Sequence, residues 1–264
     1  KTYFTGGIDS LDSDYASAFN YKIQALFFKL CYWVADSCII VSQSDLKNIF
    51  KVSSLKKKLS YSEHVINTKL FIADVPKEKI FTSIVWMGDE GNVVRKGVDK
   101  ALQIFAELKK IPEFVDYRFV IIGRKGEGEV LVRSIIDKYN LKGSVELKGE
   151  VSEEDKINLL KQSKYYFQLS LYEGFGLAAL EALCANNIII HSGKGGLANP
   201  IYKEQLLFDI DNDFDSELLK LVNKLACFTP ITSYDNLLEY YDIQRRKDDF
   251  EAIIVNGKSN YKLK

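Results

Sequence analysis

A doubly wound α/β architecture is what this 264-residue sequence predicts, and three observations predict it. From about residue 81 onward, apolar runs of strand length alternate with longer helical patterns. The strand runs are almost continuously hydrophobic, and glycines gather just after them. Strands of that kind need a parallel sheet covered by helices on both faces, a Rossmann-like arrangement whose ligands sit at the carboxyl ends of the strands.

Each element follows in order. TSIVWMG (82–88) reads as a strand, and GVDKALQIFAELKK after it places Val98, Ala101, Leu102, Phe105 and Leu108 on one helical face. YRFVIIG (117–123) precedes the helix EVLVRSIIDKYN. SVELKG (144–149) precedes SEEDKINLLKQS, where Ser152 can cap the helix and Asp155 stands three residues on. KYYFQLS (164–170) precedes FGLAALEALCAN, and NIIIHS (187–192) leads into a glycine-rich turn. The first 80 residues are less regular: a helix over Phe19 to Ala35, a strand DSCIIVS (36–42), then a short helix QSDLKNIF with Ser42 or Ser44 as cap. A second complete sheet domain would take roughly 100 to 200 residues. The expected organisation is therefore a partial N-terminal segment over 1–80, a ligand-binding sheet domain over 81–230, and a C-terminal helix over 231–264 packing back across the junction.

Composition narrows the function. Hydrophobic residues make up 47% of the chain, ample for a packed core, and 36 basic residues balance 36 acidic ones. No overall field draws the protein toward nucleic acid or anionic lipid, so an anionic ligand must be met locally. Cys31, Cys38, Cys184 and Cys227 form no CxxC pair and read as reduced core residues of a cytosolic protein. With His64 and His191 as the only histidines, a metal site has little to be built from. The run Ile23 to Val41 approaches membrane-spanning length but contains Lys29 and Asp36, and reads as a buried helix leading into a buried strand. No signal-peptide pattern is read at the start, which is Lys1. SSLKKKLS (53–60) reads as a solvated loop, with peripheral contact to the inner face of a membrane as a minor expectation.

Five glycine-containing loops lie at the expected strand ends: 88–97, 123–129, 149–155, 172–177 and 192–197. Glycine lets a backbone approach a ligand, and helix N-termini attract anions, so phosphate is the natural guest. GRKGEGE (123–129) has neither the Lys-Ser/Thr pair of an ATPase phosphate loop nor the spacing of a dinucleotide fingerprint. In LYEGFGLAALEAL (171–183), Glu173 precedes the helix and Glu181 lies about two turns inside it, so both can face one crevice. Their carboxylates suit the paired hydroxyls of a sugar or ribose, and the helix start between them suits a diphosphate. The acidic run LLFDID (206–211) does not continue as a calcium loop, having Phe214 and Lys220 where glycine and glutamate belong, and reads as a polar loop and helix start.

EGFGLAALEA resembles the E-x7-E motif of retaining glycosyltransferases with the GT-B fold, the group 1 glycosyl transferases (family four). Supporting matches follow in order: VADSCIIVSQSDLKNI (34–49), RKG (95–97), VIIG with Arg124, VELKGEV (145–151) and HSGKGG (191–196). The resemblance implies a metal-independent transfer from a nucleoside-diphosphate sugar to an acceptor hydroxyl, in polysaccharide or glycoconjugate synthesis. It implies that Glu181 holds the ribose, Glu173 faces the donor sugar and Lys96 neutralises the diphosphate. The backbone of Gly174, Phe175, Gly176 and Leu177 would meet phosphate and sugar, and Arg124, Glu150 and Val151 the base. The family often has a basic residue after the glycine of the first strand, where this chain has Asp89; Arg95 could substitute. Thr5 or Gly6 stands where a histidine often sits. Those departures motivate an alternative: a noncatalytic subunit that binds nucleotide or stabilises a partner chain. Base, sugar and acceptor stay open.

Overall fold

The computed structural model describes residues 3–5, 59–72, 75–228 and 239–256, together with most of 23–41. Three short parallel strands, β1 (Tyr3–Thr5), β2 (Ser37–Ile40) and β3 (Leu59–Tyr61), form one sheet in that order. The larger sheet holds β4 (Glu78–Ile84), β5 (Arg118–Ile122), β6 (Val145–Gly149), β7 (Ser163–Gln168), β8 (Ile188–His191) and β9 (Leu206–Leu207). All are parallel, in the order β6-β5-β4-β7-β8-β9. The direction of winding reverses between β4 and β7, which opens a crevice above their carboxyl ends.

Helices connect these strands: α1 (Glu90–Arg95), α2 (Val98–Leu108), α3 (Glu129–Lys138), α4 (Glu153–Gln162), α5 (Leu177–Cys184) and α6 (Phe214–Cys227), with α7 (Ile243–Asn256) near the end of the chain. The apolar face expected for α2 is the buried one. Ser152 caps α4, its hydroxyl accepting the Asp155 N–H at 3.0 Å. Under α2 and α3 lies an aromatic core centred on Phe81, whose ring stacks on Tyr165 and Phe167 at 4.6 and 5.1 Å between centroids. The opposite face packs α5 against Tyr166 and Ile189. Lys77 donates to the carbonyls of Lys161 at 2.8 Å and Ala185 at 2.5 Å, tying the ends of α4 and α5 together where helix dipoles favour a cation. Burial pulls its pKa down to about 8.

Four expectations need correction. Residues 90–95, read as part of a glycine-containing loop, form α1, because the Asp89 carboxylate accepts the Asn92 N–H at 2.6 Å and caps it. The helix preceding β2 is not buried: Ile23, Leu26, Phe27, Leu30, Trp33 and Val34 are 52–75% exposed, while β2 is fully buried. β2 is enclosed as the middle strand of its sheet, whereas the described residues leave the apolar face of that helix largely uncovered. Of the four cysteines, Cys38 and Cys184 are buried, but Cys31 is half-buried and Cys227 exposed at the end of α6. The C-terminal helical pattern is interrupted at Asp242, which bridges to Ile66 and accepts the Gln244 N–H at 2.9 Å, so α7 starts afresh at Ile243. It lies against the segment after β3: Asp249 accepts from Ser62 at 3.1 Å, and Arg246 donates to Nδ1 of His64 at 2.7 Å. The helix expected over QSDLKNIF, most of the 53–60 lysine run and Gly6 lie outside the described residues.

His191, at the end of β8, is buried beside Tyr202, and burial holds its pKa near 4. Between pH 6.5 and 4 the unfolded chain therefore binds a proton that the folded one refuses, so stability falls as pH falls through that window. The loss from this residue should approach about 3 kcal/mol by pH 4. Urea unfolding at pH 7.5 and pH 5 should show the decline, and His191→Gln should flatten it; an unchanged slope in the variant would contradict the assignment.

Candidate functional site

The crevice at the winding reversal is assembled from loops locked to each other by glycines. Gly97, with φ +68°, separates α1 from α2, and a Cβ there would lie 2.0 Å from the Leu169 carbonyl oxygen at the end of β7. Beside it the Leu171 N–H donates to the Arg95 carbonyl at 2.8 Å. Lys96, the C-cap of α1, is thereby carried to the loop after β7. Gly195, φ +60°, would bring a Cβ within 2.2 Å of the Glu173 carbonyl oxygen, and the next N–H, that of Gly196, donates to that oxygen at 2.6 Å. These glycines serve backbone-to-backbone contact, and so does Gly126, whose Cβ would meet the carbonyl of Met87.

Glu173 and Lys96 meet directly: the Lys96 ammonium lies 2.9 and 2.8 Å from the two carboxylate oxygens, with both side chains about four-fifths covered. Gln168, at the end of β7, donates to Glu173 at 3.4 Å and to the Ser170 hydroxyl at 2.9 Å, and accepts from the Tyr166 phenol at 3.2 Å. That chain of hydrogen bonds anchors the Glu173 carboxylate to the central sheet. Above it, the first turn of α5 has neither a side-chain cap nor an acidic residue, because Gly176 in the left-handed region occupies the cap position. Its N–H groups are the kind that bind an anion. A Cβ on Gly174 would meet nothing within 4 Å, so this backbone faces open space. Phe175 turns the other way, buried edge-on against His64 at 5.4 Å between centroids, and Leu177 is partly exposed.

Glu181, on α5, pairs with a residue that sequence reasoning missed. Lys156 of α4 lies 2.9 Å from one Glu181 oxygen and 3.0 Å from the other, and 2.8 Å from Glu153. Burial raises the Glu181 pKa, and the hydrogen bond from Lys156 works against that rise. Burial pulls Lys156 down, but its bonds to Glu153 and Glu181 outweigh it and lift the pKa above the ordinary lysine value. The two side chains meet at salt-bridge distance, and each Glu181 oxygen keeps lone-pair capacity for a ligand hydroxyl. No local pattern links position 156 to 181; only the packing of α4 beside α5 does.

The remaining expected residues divide. Arg124 follows β5 and Glu150 and Val151 follow β6, adjacent because the Gly123 N–H donates to the Gly149 carbonyl at 2.8 Å. Arg95 is held on its own helix, its guanidinium donating to Asn92 Oδ1 at 3.1 and 2.5 Å. In the 206–213 run, Asp211 binds Lys194 and Asp213 caps α6 by accepting the Ser216 N–H at 2.9 Å. Among the described residues, no three His, Cys, Asp or Glu side chains stand together as a metal site would require, and no helix is long and apolar enough to cross a membrane.

Solved structures share this architecture. Sucrose-phosphate synthase from Thermosynechococcus elongatus superposes with a TM-score of 0.76 at 20% identity, over 96% of this chain and 67% of that one. Anabaena HepE in complex with UDP and glucose gives 0.73 at 13% identity, over 96% and 70%. Among curated sequences, the GDP-mannose:cellobiosyl-diphosphopolyprenol alpha-mannosyltransferase of Xanthomonas oryzae is 32% identical over 54% of this chain. The phosphatidylinositol N-acetylglucosaminyltransferase GPI3 subunit of Saccharomyces cerevisiae is 27% identical over 49% of it. This chain spans 40% and 28% of those two relatives' lengths. The model of the family described as "Glycosyl transferases group 1" matches residues 91–226, more than half the chain, a stretch that contains Lys96, Glu173 and Glu181. With the parallel sheet and its crevice, that match makes the chain a member of the group 1 glycosyl transferases, with a GT-B-type Rossmann-like fold.

Proposed function

We propose that the protein is a retaining glycosyltransferase that takes a sugar from a nucleoside diphosphate and places it on an acceptor hydroxyl without a metal ion, in the cytoplasm. The observation that carries the reading is the Lys96–Glu173 pair, formed by residues 77 apart in sequence at the winding reversal, beside an uncapped helix start. In this reading Glu173 orients the donor sugar and Glu181 accepts the ribose hydroxyls. Lys96 and the N–H groups of Gly174 through Leu177 take up charge as the diphosphate departs, which is the work a metal does elsewhere. Arg124, Glu150 and Val151 line the base end, and Arg95 contributes through its carbonyl to the position of the neighbouring loop. The acceptor, whether glycan, lipid-linked or protein, would be chosen outside the crevice.

Calorimetric titration with UDP, GDP, ADP and CMP, with and without magnesium, tests the donor site. One nucleoside diphosphate should bind equally well without the metal. Glu181→Ala removes hydrogen bonds to a charged acceptor worth about 1.5–3 kcal/mol each, and should weaken that ligand about 100-fold or more.

A noncatalytic subunit, binding nucleotide or stabilising a partner chain, is the second reading, and Asp89 favours it. Its carboxylate caps α1 where the family often has a cation, so this position adds no positive charge beside Lys96 at the diphosphate end. Nucleotide binding without any turnover would favour the subunit, whereas turnover that is lost in Glu173→Gln would favour the enzyme.

A further inference from the structure

Trp86 stands out among the side chains at the crevice: it is 56% exposed, yet it lies just two residues past β4, a central strand of the sheet. Strand pairing continues past the end of β4, with the Val85 N–H donating to the Ile122 carbonyl and the Met87 N–H to the Arg124 carbonyl, both at 2.9 Å. Val85 and Met87 point into the aromatic core with Phe81. Alternation therefore sends Trp86 to the other face, the one Ile84 shares with α4 and α5, where Lys156 and Glu181 meet.

The indole is held there. It rests on Gly88, where a Cβ would lie 2.6 Å from Cζ2 and 2.7 Å from Cε2. The Trp86 main-chain carbonyl accepts from the Asn92 amide, whose oxygen is in turn bound by Arg95. A large aromatic plane, fixed by backbone on one side and open on the other, lies between the strand ends bearing Arg124 and Gln168. A flat π-face suits a nucleobase: stacking needs no particular hydrogen-bond pattern, and immobilising an already fixed indole costs little entropy.

We propose that Trp86 is the platform on which the donor's nucleobase stacks, a binding residue of the crevice that supplies affinity for the base; this rests on the reading of the site as a nucleoside-diphosphate site. Stacking of one base on one aromatic side chain predicts about a 10- to 100-fold loss of affinity on truncation.

The chain has two tryptophans, so Trp33→Phe leaves Trp86 as the sole indole reporter. The nucleoside diphosphate that binds by calorimetry should quench this fluorescence saturably, with the same dissociation constant. Trp86→Ala should weaken it about 10- to 100-fold and leave inorganic pyrophosphate binding unchanged, whereas Trp86→Phe should retain most of the affinity. Gly88→Ala, which displaces the indole without removing it, should behave like the truncation. Nucleotide binding with no fluorescence change and wild-type affinity in Trp86→Ala would overturn the platform while leaving the donor site standing. Quenching by a nucleotide sugar but not by its nucleoside diphosphate would also overturn it, assigning the indole to the sugar. If no nucleoside diphosphate binds the unaltered protein, the donor-site reading fails first and the platform falls with it.

Discussion

Lys96→Met should slow sugar transfer about 10²- to 10³-fold, the size of effect seen when one preorganised charge stabiliser is removed from a transition state. The ammonium group lies within 3 Å of both Glu173 oxygens and its side chain is only 22% exposed, so its charge is little screened by water. Methionine keeps the length and apolar stem while deleting the charge. The change should also weaken the nucleoside diphosphate while leaving the free nucleoside, which has no phosphate to meet, unaffected. Lys96→Arg restores charge but not the compact ammonium, and should recover affinity more than rate. Single-turnover donor hydrolysis or transfer, with calorimetry of nucleoside and nucleoside diphosphate, reads all three. Wild-type turnover in Lys96→Met would remove the lysine from the chemistry and leave the contact with Glu173 as a structural tie between two loops.

Phe81→Ala should destabilise the protein by about 3–5 kcal/mol, the cost of truncating a fully enclosed phenylalanine and leaving its cavity. Phe81 has no exposed surface and sits on the central strand with Phe105, Phe114, Tyr117, Tyr165 and Phe167 around it. Those rings come from β4, β7, α2 and the segment between α2 and β5, so collapse around the void would have to shift several elements at once. Since a domain is stable by about 5–15 kcal/mol in total, this variant should sit near the folding threshold. Phe81→Leu, closer in volume, should be milder, at about 1–2 kcal/mol. Urea unfolding followed by circular dichroism measures both; a loss below about 1 kcal/mol in the alanine variant would mean that this cluster does not anchor the sheet.

The sequence by itself determined the local elements and the pair that marks the site. Hydrophobic runs located β4 through β8, a 3.6-residue period located the buried face of α2, and Ser152 announced the start of α4. The spacing of Glu173 and Glu181 was legible because both lie in one helix and the loop entering it. These signals depend on neighbours within about two turns, the range over which backbone hydrogen bonding and capping act.

Tertiary structure alone decided the rest. The strand order that sets β4 beside β7 brings Lys96 to Glu173, and the packing of α4 beside α5 brings Lys156 to Glu181. Asp89 looked like a missing cation until α1 showed it to be a cap, and Trp86 read as one more apolar strand residue until the ladder past β4 turned it outward. The helix before β2 carried an apolar pattern that promised burial, yet its side chains are exposed, because periodicity specifies which face is apolar and not what covers it. Contacts between residues 25 to 77 positions apart are chosen by how whole faces fit together, a property of the assembled sheet that no short window of sequence contains.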